Sequence, residues 1–590
     1  MKNKALLFWR KNYIIITLSL IILLGAFLRL YHFSDWLHFE LDQSRDAKVI
    51  DLALEEGIGN LPLLGPKAAG TFLRLGPAFY YFQYLSALVF GGTPSGMALI
   101  MALFGIGAIP LFYFLVKRYF ADKLSLALTF LFSVSLFLIM YSRFSWNPNA
   151  LPFFVLLTFL AMLRSADPED PKKKWWLVIF FISLAIATQL HFLALVILPA
   201  IAFFFFLVRL PKAKWYFWII GVAAALLFYF PPILNDIKTG GDNIGQFLKV
   251  AAGRSTKDEH RIVEKLIRNY SEQSLGSWLI LSGQENAEWP KFTLAGWRLE
   301  AACDQTCRDR LVWGGIAGAL FTLGIILMLW NFFRLRKEEG KRKDFLLLSM
   351  LWFAIVFFFY TPIAYDLSPR FLLLIAPLSF IFLGFIIEFG EKYLPKNWKY
   401  LPLVLIMVLA FMNLQSAQKR FSELATAPTI AAKIDTDKIL KEKMRVTLEQ
   451  QYRIIDYVES FYQKNGFPVY LNSDPQYRRS FLYHLDQRAI LRDDLRNVTS
   501  SHKIYQNGNY FLIYPTLSDT GADLKKYEAS YNMIGKKEFG TLTVFQLEPK
   551  KEAVNAVQQE IQPKTGPAKS APGVPLRYRW KEIFNDNSEE

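Results

Sequence analysis

The sequence predicts a mostly α-helical polytopic membrane protein of about eleven transmembrane helices, with a small extracytoplasmic α/β domain toward the C-terminus. Three observations predict it. Hydrophobic residues make up 53% of the 590, and they come in runs rather than in alternation. Phe alone supplies 53 residues, with 27 Tyr and 15 Trp, and only 20% of residues are charged. The basic residues, although they leave a net charge of +17, fall largely in short clusters between apolar runs, which is membrane-topology chemistry rather than a nucleic-acid footprint. The mean hydropathy of +0.23 excludes an ordinary soluble enzyme. Two Cys exclude a disulfide-dense scaffold, and no P-loop or Rossmann glycine motif is present.

The expected spans are Tyr13–Leu30, Met97–Val116, Leu124–Met140, Trp146–Leu163, Trp175–Leu190, Phe192–Val208, Trp215–Ile233, Leu311–Phe333, Phe345–Thr361, Phe371–Ile387 and Leu401–Met412 with its flanks. The run from Trp175 to Val208 is too long for one span and is split near Gln189-Leu190-His191. Lys2, Lys4, Arg10 and Lys11 precede the first span. Later clusters include Lys117-Arg118, Lys172-Lys173-Lys174 and the stretch from Arg334 to Lys343. Facing all of these inward places the N-terminus in the cytoplasm, in the inner or plasma membrane. Leu75–Gly91 is apolar but short, opens with Gly76-Pro77 and carries Tyr80, Tyr81, Gln83 and Tyr84; it reads as a re-entrant or interfacial helix on the outer face. Residues 1–416 then form the membrane domain, with outer loops 31–96 and 234–310. Residues 417–548 form the extracytoplasmic α/β domain, with a helix over Met444–Lys464 and strands near Phe467–Leu471, Tyr510–Tyr514 and Leu542–Leu547. Residues 549–590, with Pro563, Pro567, Pro572 and Pro575 among Lys, Gly and Ser, read as a flexible tail. Cys303 and Cys307 lie in the large outer loop, where a local disulfide is permitted.

Polar residues recur at one depth on the outer side. Glu40, Asp42 and Asp46 stand within seven positions just past the first span. Buried and unpaired they would be costly, so they should face water, a metal or a basic partner, and Arg45 offers a salt bridge. Lys67 and Arg74 flank the approach to the re-entrant segment. Arg143 and Asn147 sit in a short turn that has more polar chemistry than a turn needs, His191 in another, and Arg370 beside Ser368-Pro369 in a third. Carboxylates and guanidiniums at one interfacial depth suit a lipid phosphate attached to something polar. The tail can stay in the bilayer while Arg or Lys holds the phosphate. A carboxylate can then deprotonate a hydroxyl or amine, or hold a divalent cation such as Mg or Mn on Asp42.

The motifs "HFELDQSRDAKVI", "LLGPKAAGTFLRLGPAFYYF", "YSRFSWNPNALPFF", "ATQLHFLAL" and "SPRFLLLIAPLSF", in that order, resemble the integral-membrane glycosyltransferases of GT-C fold that use polyprenyl-phosphate sugars. That family includes bacterial protein O-mannosyltransferases and the lipid A aminoarabinose transferase, and the resemblance covers roughly residues 10–415. It implies that Asp42 is the catalytic aspartate, with Glu40 or Asp46 compensating where Gln43 replaces the family's frequent second acid. It implies donor-phosphate or pocket roles for Arg143 and Arg370, with Lys67 and Arg74 as companions, and places Gln43, Tyr81, Asn147 and His191 at the pocket. The expected function is inverting transfer of a sugar from a polyprenyl-phosphate donor to a hydroxyl- or amine-bearing protein, lipid or polysaccharide acceptor on the outer face, with membrane lipid and no nucleic acid as partner. Two alternatives stand beside it: a lipid-linked glycan transporter or flippase, and a non-catalytic membrane protein that binds sugar through Tyr452, Tyr457 and Tyr462. Those tyrosines at helical spacing are more often core.

Overall fold

Each apolar segment expected to cross the bilayer falls on a helix in the computed structural model, which describes residues 2–584 apart from 69, 253–259, 296–297, 336–339, 399, 435, 498–502, 519–520 and 559–575. In chain order the helices of the first half are α1 Lys2–Leu30, α2 Leu41–Glu56, α3 Ala78–Phe90, α4 Pro94–Val116, α5 Asp122–Val134, α6 Leu136–Ser142, α7 Leu151–Ala166, α8 Lys173–Leu190 and α9 Phe192–Val208. Then follow α10 Trp215–Thr239, α11 Asp242–Ala252, α12 Ile262–Ser282, α13 Gln305–Arg334, α14 Lys341–Tyr360, α15 Ala376–Tyr393, α16 Leu401–Thr426, α17 Leu448–Asn465 and α18 Arg478–Gln487. The expected eleven spans need correction. Among the described residues eight helices are long and apolar enough to cross a bilayer, or nine if the bent pair α5–α6 is one span. Helix α9 stops at 17 residues, and α15 carries Glu388, Glu391 and Lys392 in its last turns. Helix α3, at 13 residues, spans about 20 Å, well short of a bilayer core.

The break between α5 and α6 shows how the bundle meets the rule that backbone polar groups inside a membrane be satisfied by protein. The two helices meet at 54° across Ser135. Asn413 of α16, fully buried, accepts from the freed Leu136 N–H at 2.8 Å and donates to Leu281 O at 2.6 Å. Ser135 Oγ donates to Ile280 O at 2.7 Å. One asparagine therefore binds a kink to the end of α12. Helix α12 lies within the segment expected to be an outer loop, yet it packs against α13, α15 and α16. Its buried Asn269 donates to Phe357 O at 2.8 Å and to Thr361 Oγ1 at 3.0 Å.

Two antiparallel strands, β1 Lys291–Ala295 and β2 Arg298–Ala302, precede α13, where Cys303 and Cys307 are disulfide-bonded. The α/β domain holds β3 Val469–Ser473, β4 Arg492–Asp494, β5 Asn509–Pro515, β6 Tyr531–Phe539 and β7 Leu542–Pro549 in the order β4-β3-β5-β7-β6. Strands β4, β3 and β5 run parallel, and β7 and β6 are antiparallel additions. Tyr457 packs on Phe461, Phe511 and Phe539, as expected of a core position. Gly540, in the β6–β7 turn at φ +61°, lies where a Cβ would sit 2.0 Å from Ala427 O, so this turn seats directly on the end of α16.

Buried charges fasten the domain to the bundle. Arg420 of α16 bonds Asp437 at 3.0 Å and Glu442 at 3.1 Å; Arg445 bonds the same two carboxylates and Glu423. Glu442 in turn lies 2.9 Å from His38, which is 3.3 Å from Glu40. Segment 550–557 stays with the domain through the Tyr505–Ala556 bridge. The expected flexible tail is further corrected by residues 576–584. They run against residues 60–63, with Leu63 N–H donating to Tyr578 O at 2.8 Å and Trp580 N–H to Leu61 O at 3.2 Å. Pro563, Pro567, Pro572 and Pro575 lie outside the described residues.

Burial opposes the charge on His38, but Glu40 and Glu442 outweigh it and push its pKa up to about 10 from 6.5. Burial likewise opposes the charge on Glu442, which His38, Arg420 and Arg445 hold well below the usual carboxylate range. The sign for a raised histidine is fixed: its stabilisation is complete below about pH 6.5 and is lost as pH climbs through about 10. Thermal unfolding should therefore shift to lower temperature across that window, and His38→Gln should flatten the slope while lowering the plateau near neutrality. A His38→Gln protein with the parent's slope would remove His38 from this role.

Candidate active site

The acidic segment becomes a helix start. Glu40 is the N-cap of α2, and its N–H donates to Gln43 Oε1 at 3.2 Å, one arm of a capping box. Gln43, the neighbour of Asp42, is thus buried and used by the backbone. The α/β domain fixes the same segment from the other side. Gln451 Nε2 and Ser480 Oγ donate to Phe39 O at 2.8 and 3.2 Å, and Leu41 N–H donates to Gln476 O at 3.0 Å.

The three carboxylates differ sharply. Glu40 lies against His38 and accepts from Gln476 Nε2, so it is committed to the domain contact. Asp46 is fully buried; Arg45 grips it with Nε at 2.9 Å and Nη2 at 3.0 Å, and Tyr80 donates its hydroxyl at 3.0 Å. Burial raises the Asp46 pKa even against Arg45. Asp42, in the first turn of α2, has a side chain 36% exposed and accepts from Arg45 Nη1 at 2.8 Å through one oxygen. Its other oxygen has no protein partner among the described residues. Of the expected catalytic acids, Asp42 is the one left available to a substrate, whereas the burial and ties of Asp46 and Glu40 do not suit a direct role. The divalent metal expected on Asp42 does not fit this donor set either. Arg45 takes both oxygens of Asp46 and one of Asp42, and no group of three His, Cys, Asp or Glu side chains among the described residues is placed to hold a metal.

The expected basic residues separate in the same way. Arg143 is 2% exposed; its guanidinium donates to Leu28 O at 3.2 Å, Arg29 O at 3.0 Å and His32 O at 3.3 Å and lies over Phe421. It closes the carbonyl end of α1, which does not fit the expected phosphate role. Arg370 is half-buried, lies over Trp146 at 5.1 Å, is within electrostatic reach of Asp42, and meets no carboxylate among the described residues. Lys67 is exposed over Phe72. Arg74 is held by Asn243 through its backbone, while its guanidinium reaches only Gly65 O at 3.4 Å.

Of the pocket candidates, Asn147 donates to Leu190 O at 2.6 Å, and His191 Nδ1 accepts from Leu193 N–H at 3.2 Å as the N-cap of α9. Both are taken by the junction of α8 and α9, so the expected pocket role gives way to a structural one. Tyr81 donates to Pro62 O and accepts from Trp580 Nε1 at 2.9 Å. Sequence reasoning missed Tyr80 as a partner of Asp46, and missed Arg577, whose Nη1 stands 3.4 Å from the Tyr80 hydroxyl. The signal for Arg577 was the basic and aromatic run over residues 577–584, out of keeping with a polar tail.

Residues 75–234 match the family model described as dolichyl-phosphate-mannose-protein mannosyltransferase. No curated protein matches the sequence. ArnT from Cupriavidus metallidurans bound to undecaprenyl phosphate is similar in structure, with a TM-score of 0.51 at 11% identity over 92% of this chain and 99% of that one. Its apo state gives 0.50 at 12% over the same shares. An Archaeoglobus fulgidus oligosaccharyltransferase is a looser likeness, at 0.49 and 14% over 92% of this chain and 75% of that one. The fold is that of the GT-C class of integral-membrane glycosyltransferases, as the sequence motifs indicate. Family segment and fold together support a glycosyltransferase of that class, in a multi-pass membrane protein.

Arg143→Ala should lower stability by about 2–4 kcal/mol, because three carbonyls at the end of α1 lose their donor, while donor use per folded molecule stays near the parent's. Detergent melting curves paired with single-concentration turnover measure both, and a specific loss of donor use would return Arg143 to the site.

Proposed function

We propose that this protein transfers a sugar, with inversion, from a polyprenyl-phosphate donor to a hydroxyl- or amine-bearing acceptor on the extracytoplasmic face of the membrane. The observation that carries this reading is the condition of Asp42: partly exposed at the start of α2, one oxygen fixed by Arg45, the other without a protein partner among the described residues, and Arg370 within electrostatic reach. In this reading the free oxygen takes the proton from the acceptor's O–H or N–H while that atom bonds to the anomeric carbon. The bond from the anomeric carbon to the phosphate oxygen breaks on the opposite face, and the phosphate leaves with the electron pair. Arg45 holds the base in place. Arg370, Arg74 and Lys67 are the groups available to the phosphate, where cations oppose the growing negative charge. The lipid bound to ArnT, undecaprenyl phosphate, accords with such a donor.

Purified protein in lipid should release free polyprenyl phosphate when donor and acceptor are both present. Asp42→Asn should lower turnover by about 10²–10⁴ while leaving expression and donor binding near normal. A folded, donor-binding Asp42→Asn protein with parental turnover would defeat the base assignment, and sugar-lipid crossing the bilayer without covalent turnover would favour a transporter.

Orientation is part of the proposal. The basic clusters favour a reading with the α/β domain outside, and the Cys303–Cys307 disulfide would share that side, since Glu288 pairs with both Arg310 and Lys438. A Ser518→Cys protein should therefore react with an impermeant thiol reagent added outside intact cells; reaction from the cytoplasmic side alone would reverse the topology.

A further inference from the structure

Residues 576–584 are built into the ends of α2 and α10 and the segment after α2. Asn235, fully buried, accepts from Tyr578 N–H at 3.0 Å and donates to Leu576 O at 3.1 Å. Arg579 Nη1 donates to Asn60 Oδ1 at 3.0 Å, Trp580 stacks near Phe230, and Lys581 pairs with Glu56 at 3.0 Å. Without this segment the buried amides of Asn60 and Asn235 would lose partners, which costs more than the bonds add. The docking is therefore specific, and it fixes where Arg577 stands.

Arg577 lies over the Tyr80 ring, 5.6 Å from its centroid, with Nη1 3.4 Å from the hydroxyl that donates to Asp46. Arg74 is close enough that the two cations disfavour each other. Among the described residues neither forms an ion pair with a carboxylate, and the buried Nε of Arg74 has no hydrogen-bond partner there. Three guanidiniums, those of Arg45, Arg74 and Arg577, thus gather around two carboxylates, and Arg45 already bonds both. Like charges held together by the fold in a partly buried place are costly unless an anion shares them.

We infer that Arg577 and Arg74 grip the phosphate of the polyprenyl-phosphate donor, so that the 576–584 segment supplies a binding residue to a site whose other parts come from elements far earlier in the chain. This rests on the proposed function and deepens it, because it assigns the phosphate to one side of Asp42. The ligand class is a lipid phosphate rather than free phosphate: Arg74 lies in the loop that leads into α3, whose exposed apolar Leu85, Leu88 and Val89 offer a surface suited to a lipid tail.

Full-length protein in detergent is titrated with polyprenyl monophosphate, with unphosphorylated polyprenol and with inorganic phosphate, following the rise in melting temperature. The parent should respond to polyprenyl phosphate above polyprenol. Arg577→Ala should weaken that response at least about tenfold and Arg577→Lys less, with the ligand-free melting temperature near the parent's. If Arg577→Ala destabilises the ligand-free protein, Arg577→Gln, which keeps a donor for the Tyr80 hydroxyl but no charge, gives the same readout. An Arg577→Ala or Arg577→Gln protein with parental affinity overturns the inference, as does Arg577-dependent binding of inorganic phosphate as tight as that of the lipid. A parent that fails to distinguish polyprenyl phosphate from polyprenol overturns the donor reading itself.

Discussion

A single guanidinium decides which carboxylate stays accessible. Arg45 spends two of its donors on Asp46 and one on Asp42, so the buried acid is neutralised in place and the exposed acid is aimed. A planar fork can do this for two carboxylates one turn apart on the same helix, and an ammonium could not hold the same geometry. Everything around the site serves to put α2 where this fork can act. The capping box starts the helix at Glu40, the α/β domain fixes residues 39 and 41 by their backbones, and Tyr80 from α3 closes over Asp46.

The α/β domain is thereby a structural part of the membrane unit. Its contact with the bundle is a buried lattice of alternating charge running from Glu423 to Glu40, with His38 as the member whose charge depends on the pair of acids around it. Removing one member of such a lattice leaves its neighbours charged and unpaired, which is more costly than the net worth of the lattice. The Gly540 turn adds a contact that no larger residue could make without moving the backbone of Ala427. Acceptor discrimination, if it comes from this domain, must come from its fixed surface.

The bundle was legible in the sequence because lipid demands long apolar runs, and the split of the long run at Leu190 falls where α8 ends. Helix α12 was not legible: Asn269, Ser271, Gln273 and Ser274 look like loop chemistry until their hydrogen bonds inside the bundle are seen. The acidic motif put Asp42 forward as a candidate because its position past the first span is a local feature, and the structure leaves that side chain partly exposed at the start of α2. The roles of Arg143, His191 and Asn147 were hidden because a cation or amide at a helix end reads the same whether it meets a ligand or closes a carbonyl. Pro-rich composition suggested a tail over 549–590, and composition carries no trace of the tertiary partners that Asn60 and Asn235 offer to residues 576–584.

Those two asparagines also constrain how the protein is made. Residue 235 leaves the ribosome some 340 residues before residue 576, an interval of roughly 20–70 s at typical synthesis rates. For that time Asn60 and, near the end of α10, Asn235 carry unmatched amides beside a membrane already being filled with helices, and must keep them hydrated. Final closure of this region is therefore a late event in biogenesis, set by the arrival of distant sequence, and the nascent chain is open to chaperones and proteases at this point until then.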